Sequence, residues 1–151
     1  MTYTITPACL GAAVALFSNL SLPDREELAV SGSRPFEAIW RGIMTSAAPK
    51  AIYDRHGRIA AIAGVVPVSK ALGAPWMLST EAAKTEPLAF VRQSKEWVRE
   101  QLTLYPCLAH QVYRHNYPHI KLLRLLGFEV EAPTSQLQLF LPFVQCVSPY
   151  P

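Results

Sequence analysis

Apolar positions along the chain change period twice, and the changes divide it into blocks. The opening "TYTIT" alternates as a short strand does, with Pro7 ending it or opening the helix that follows. "ACLGAAVALFSNL" is Ala-rich, and Leu10, Val14 and Phe17 recur on one predicted helical face. "LPDREELAVSG" predicts a second short helix, with Asp24 as its cap, acidic residues in its first turn and Gly32 as its stop. "RPFEAIWRGIMTSA" predicts a third, starting near Pro35 and burying Phe36, Ile39, Trp40 and Ile43.

From Lys50 the period shortens. "KAIYDRHGRIAAIAGVVPV" predicts a hairpin around Asp54-Arg55-His56-Gly57, with Gly57 suited to a positive φ. "GAPWMLST" is a continuous apolar run, as expected of a strand inside a sheet. A loop and long helix follow in "EAAKTEPLAFVRQSKEWVREQLTLYP", where Leu88, Val91, Val98 and Leu102 recur at helical spacing, as do Phe90 and Trp97. "CLAHQVYRH" predicts a strand, "YPHIKLLRLL" a helix closed by Gly127, "FEVE" a strand and "SQLQLFLPF" a last one. The order β-ααα-βββ-α-β-α-ββ predicts an α/β (mixed α+β) domain, one partly antiparallel sheet with helices on both faces. Residues 1–143 are assigned to this domain and 144–151 to a loosely held C-terminal tail.

Composition narrows the classes. The 151 residues suffice for one domain with a substantial core; half are apolar and only 17% charged, which excludes disorder. No apolar run reaches membrane-spanning length, and the N-terminal apolar tract has no Lys or Arg ahead of it, so neither a membrane segment nor a secretory signal is expected. The net charge is only +3 and no basic block alternates with aromatics, which argues against a nucleic-acid surface. Cys9, Cys107 and Cys146 lack metal-like spacing and are expected to be reduced thiols in an intracellular setting. His110, His115 and His119 lie on a strand-loop-helix path unsuited to converging on one ion, so no metal is expected.

The corner "VYRHNYPHIKLLRLLGFEVE" carries the most specific signal. A strand reaches Asn116, a helix follows with Ile120, Leu122 and Leu126 as its stripe, and Gly127-Phe128 leads into the next strand. This spacing, with the order of elements, resembles the GCN5-related N-acetyltransferase (GNAT) fold. The resemblance implies a single GNAT-like domain in which two parallel strands splay apart and an acyl-CoA arm lies between them. It makes Asn116, Met77, Leu78 and Ser79 the candidate acyl-CoA cleft, with strand N–H groups at Met77 and Leu78 polarising a thioester carbonyl. Asn116 either holds the arm or caps the helix after it, two compatible roles. Glu37 or a histidine is the positional candidate for a base.

Two departures qualify the resemblance. Where the family has a Gly-rich turn gripping pyrophosphate, this chain has "STEAAKTEPLAF", with no glycine, with Glu81 and Glu86 repelling phosphate, and with Pro87 removing a donor; Lys84 offsets only part of this. The place of the family's frequent general-acid Tyr falls on Leu123, while Tyr113 and Tyr117 lie only nearby. A narrower likeness, in "MTYTITPA", "PWMLST", "NYPHIKLLRLLGF" and "QLQLF", is to phage proteins of GNAT-like fold, including an internal virion protein of short-tailed phages. It implies a structural or binding role in a virion or host cytoplasm, with other virion or assembly proteins as partners and Trp40, Trp76 and Trp97 as candidates for a partner surface where the core does not use them. The alternative is an active N-acyltransferase using acetyl-CoA or another acyl-CoA with a non-standard phosphate-binding loop.

Overall fold

The computed structural model describes residues 3–147. Along the chain run β1 (Thr4–Pro7), α1 (Leu10–Asn19), α2 (Leu22–Val30), α3 (Pro35–Thr45), β2 (Lys50–Tyr53), β3 (Ile59–Pro67), β4 (Leu72–Ser79), a 3-10 turn (Glu81–Lys84), α4 (Pro87–Leu104), β5 (Cys107–Tyr113), α5 (Tyr117–Leu125), β6 (Glu129–Val130) and β7 (Phe140–Cys146). The predicted order of elements is the observed one. The strands form one seven-stranded mixed sheet, β1-β2-β3-β4-β5-β7-β6, in which only β4 and β5 pair in parallel.

Each face of the sheet carries its own core. Ile59, Ile62 and Leu78 pack beneath α1 and α3 with Ala12, Leu16, Ile39 and Ile43. On the opposite face Val98, Ile120 and Leu123 of α4 and α5 cover Leu108, Val112, Leu141 and Phe143. Trp40 and Trp76 pack against the first core and Trp97 against the second, so the tryptophans serve packing. Tyr3 is fully buried beside Phe90, and its hydroxyl accepts from the Glu86 N–H and lies 3.0 Å from the Ala82 carbonyl oxygen. One phenol thereby ties the start of the chain to the loop that leads into α4.

Turn chemistry is as the sequence predicts at Gly57 and Gly127, with φ of 75° and 95°. In the β2–β3 turn the Asp54 carboxylate accepts from the N–H groups of His56 and Arg58 and from the Arg58 guanidinium. Burial alone would raise its pKa, but these donors outweigh it and hold the carboxyl below its ordinary range.

Several expectations are corrected. In α1 the inward face is Ala12, Ala13 and Leu16, while Leu10, Val14 and Phe17 are exposed. Two alanines let the helix sit close against the sheet, and close approach outweighs the larger apolar stripe. Leu88 is likewise outside the buried stripe of α4, being exposed in its first turn. The last strand starts at Phe140, not Ser135. The Arg114 guanidinium donates to the carbonyls of Ser135 and Gln138, and Gln138 Oε1 accepts from Thr134 N–H, so this stretch is wound into a turn despite its alternation. β7 then continues through Cys146, which places residues 144–146 in the sheet; residues 148–151 of the assigned tail lie outside the described ones.

The cysteine expectation is corrected as well. Cys107 and Cys146 are directly opposite in the β5–β7 register and form a disulfide, leaving Cys9 as the exposed free thiol. Cys107 N–H bonds outward to the Ala71 carbonyl and Val147 N–H to Pro106, so the two cysteines form a non-hydrogen-bonded pair, where side chains on neighbouring strands come closest. The bridge closes a loop of 39 residues. Reduction is therefore expected to cost up to about 4 kcal/mol of stability, a fall of about 10 °C in the unfolding midpoint for a chain of this length. Calorimetry with and without reductant, with Cys107→Ser as the control, measures it; an unchanged midpoint would mean the bridge carries no stability.

Candidate active site

The parallel pairing of β4 with β5 lasts two residues, Leu72 with Cys107 and Gly73 with Leu108. Backbone groups in a strand alternate between its two sides. In β4 the odd positions face β5, since Ser79 N–H bonds away from β3 to Asp24 while Thr80 N–H bonds back to Ala60. After Gly73 the next position facing β5 is Pro75, which has no N–H. The ladder stops there, and the strands part.

Helix α2 closes the open end of the gap. Ser21 caps it, its hydroxyl accepting from Asp24 N–H at 3.4 Å, so Asp24 is not the cap. The Asp24 side chain turns inward instead and is buried, 4% exposed. Its carboxylate accepts from Ser79 N–H at 2.8 Å, Ser79 Oγ at 3.0 Å and Asn116 Nδ2 at 2.9 Å. One turn on, Glu27 accepts from Tyr113 N–H at 2.9 Å and Asn116 Nδ2 at 3.2 Å. Two carboxylates from one helix thus span from the end of β4 to the end of β5.

Asn116 is 1% exposed, and its side chain is fully engaged. The amide nitrogen serves the two carboxylates, while Oδ1 accepts from His119 N–H and caps α5. The capping role anticipated for it is present, joined by an unforeseen one as donor to α2.

The cleft beside this staple has a volume of about 500 Å³, within the range of small-molecule sites. Met77, Ser79 and Asn116 line it together; Leu78 does not, for its side chain is buried under α1 and its N–H faces β3. Alternation lets only one of the adjacent amides at 77 and 78 face the gap, and that one is Met77. Ser79 N–H is taken by Asp24, Tyr113 N–H by Glu27, and Gln111 N–H by the neighbouring His110 Nδ1 at 2.7 Å. Beyond Gly73, Met77 N–H is the gap-facing donor with no partner among the described residues.

Other candidates fall elsewhere. Glu37 is exposed on α3, paired with Arg34, away from the cleft. His110 lies exposed on β5 and His115 meets the Tyr117 hydroxyl at 3.1 Å. His119 is the half-buried histidine lining the cleft, with no ring hydrogen bond among the described residues. Leu123 is buried in the core. No group of three ligating side chains suited to a metal occurs among the described residues.

The expected lack of an N–H cradle at the start of α4 has a structural form. Thr80 Oγ1 accepts from Ala82 N–H, Ala83 N–H bonds to the Thr80 carbonyl, and Glu86 N–H goes to Tyr3. Glu86 is paired with Arg55, and Glu81 meets Lys84 in an exposed pair at 3.5 Å. Lys121 brings positive charge to the cleft wall, and Lys84 lines it with its charge shared with Glu81.

No family model matches the sequence, and no curated protein matches it. Solved structures do match the fold. A phosphinothricin acetyltransferase of the GNAT superfamily from Sinorhizobium meliloti, solved with acetyl-CoA, is 13% identical over 97% of this chain and 89% of its own, with a TM-score of 0.65. This chain has the GNAT fold. A spermidine N-acetyltransferase from Vibrio cholerae, solved with CoA and spermine, is 12% identical over 96% of this chain and 95% of its own, at a TM-score of 0.68. A GCN5-related N-acetyltransferase from Kribbella flavida is 15% identical over 97% of this chain and 98% of its own, at 0.65. Likeness at such identity establishes the GNAT architecture, not an activity.

The staple makes Asn116 a stability residue. Asn116→Ala leaves Asp24 short of a donor in a buried setting and is expected to destabilise by about 2–4 kcal/mol. Asn116→Asp, which adds a third carboxylate at the same point, is expected to cost more. Urea unfolding measures both, and a loss under about 0.5 kcal/mol for either would mean the network is not holding the strands.

Proposed function

We propose that this chain is an N-acyltransferase that takes its acyl group from a coenzyme A thioester. The observation that carries the proposal is the open Met77 N–H in the gap between β4 and β5, at the wall of a cleft of about 500 Å³. An amide fixed in a sheet is a preorganised donor for the oxygen of a thioester carbonyl, and its hydrogen bond strengthens as the amine attacks and charge builds on that oxygen. His119, half-buried and facing the cleft, is the group placed to take the proton released as the C–N bond forms and the C–S bond breaks.

The fit to coenzyme A is uneven and informative. The gap suits an extended amide-bearing arm, whereas the start of α4 lacks the N–H cradle for pyrophosphate. Lys121 takes its place as a side-chain charge, joined by Lys84 where a phosphate displaces its exposed partner Glu81. The likenesses offer support for acetyl transfer and none for a virion or assembly role.

The test is a thermal melt with 1 mM acetyl-CoA. A dissociation constant near 10 μM stabilises by about 2.7 kcal/mol, raising the midpoint by about 5–10 °C. Lys84→Glu combined with Lys121→Glu is expected to weaken binding about tenfold, with the difference shrinking in high salt. No shift at millimolar acetyl-CoA would overturn the reading and leave the domain as a binding or structural module.

A further inference from the structure

The cleft does not end at Met77. Met77, Phe90, His119 and Leu122 line it and also line a second, partly open space between the sheet and helices α4 and α5. That inner chamber is walled mainly by apolar side chains, among them Ile5, Trp97, Leu126 and Phe128. Its volume is about 50 Å³, room for about three or four water-sized groups. It adjoins Met77, whose N–H is the gap-facing donor of β4 with no partner among the described residues.

We infer that the chamber is an acyl pocket, and that the thioester this protein prefers carries a straight aliphatic chain two or three carbons longer than acetyl. The inference rests on the acyltransferase reading and adds the chemistry of its donor. A carbonyl oxygen held at Met77 N–H puts the acyl carbons at the shared neck, and the next carbons in the chamber lose water against Leu122, Phe90 and the residues behind them. An acetyl group is too short to fill this space. A six-carbon chain exceeds it, because closely packed walls yield little.

Isothermal titration with CoA, acetyl-CoA, propionyl-CoA, butyryl-CoA and hexanoyl-CoA tests it on the intact chain. Affinity is expected to rise about threefold to fourfold for each carbon added from acetyl to butyryl, and to fall back at hexanoyl. Leu126→Phe, which shortens the chamber from its far wall, is expected to erase the butyryl preference; should that variant fail to fold, the wild-type series decides alone. Binding of every thioester with equal affinity would overturn the acyl pocket and leave the acyltransferase reading standing. Failure of all five to bind would overturn both.

Discussion

The architecture of the cleft depends on how two parting strands satisfy their backbone groups. A parallel pair that separates inside a domain leaves amides with no ladder partner, and a buried unpaired amide is costly. Here the problem is handled group by group. Pro75 has no amide to satisfy, Gln111 bonds to the adjacent His110 ring, and Ser79 and Tyr113 are met by Asp24 and Glu27. The carboxylates need those donors as much as the amides need acceptors, since an ionised group leaves water only when it is well hydrogen-bonded. Asn116 joins the two and completes the arrangement. Met77 is the exception, its N–H facing the gap with no partner among the described residues.

Much of this was legible in the chain, and the limit falls at a definite place. Local rules located the elements because turn and cap chemistry acts over a few residues: Gly57, Gly127 and the Asn116 cap are all short-range. Asn116 also marked the corner by its position between strand and helix. What the sequence did not reveal lies far apart along it. Asp24 meets Ser79 and Asn116 at separations of 55 and 92 residues, and no local pattern distinguishes an acid in a first helical turn that faces solvent from one that faces inward. The α1 face fails for a related reason. Leu10, Val14 and Phe17 make the better stripe by hydrophobicity, but the distance to the sheet selects Ala12 and Ala13, and that distance is a tertiary property. One signal was available and unread: a proline at the second position past a glycine in an interior strand predicts that pairing ends there.

The loop leading into α4 shows how a departure from a family pattern can be structurally consistent. Glu81 and Glu86 look hostile to phosphate when read singly. In the fold both are paired, and the amides that a glycine-rich turn would aim at a ligand are bound by Thr80 and Tyr3. Positive charge then comes from lysine side chains, which act as mobile point charges and not as a fixed cradle. A grip of that kind is weaker, more sensitive to salt and less selective for the shape of the anion. On the acyltransferase reading, more of the recognition then falls on the arm and the acyl group, where the walls are mainly apolar.

The same geometry bears on whether the gap can adjust. At its closed end β5 is bonded to Ala71 and to the disulfide partner strand, so Cys107 is tied on both sides. At its open end the α2 carboxylates fix the separation of Ser79 from Tyr113 through Asn116. A wedge held at both ends has a set angle, and a ligand entering it gains from preorganisation but cannot widen it. On the acyltransferase reading, selectivity comes from how well the ligand fills a fixed space, with Lys121 at the cleft wall contributing attraction at a distance. The residues most able to alter what the cleft accepts are then those at the neck, Met77, Phe90, His119 and Leu122, because they alone touch both the fixed wedge and the space behind it.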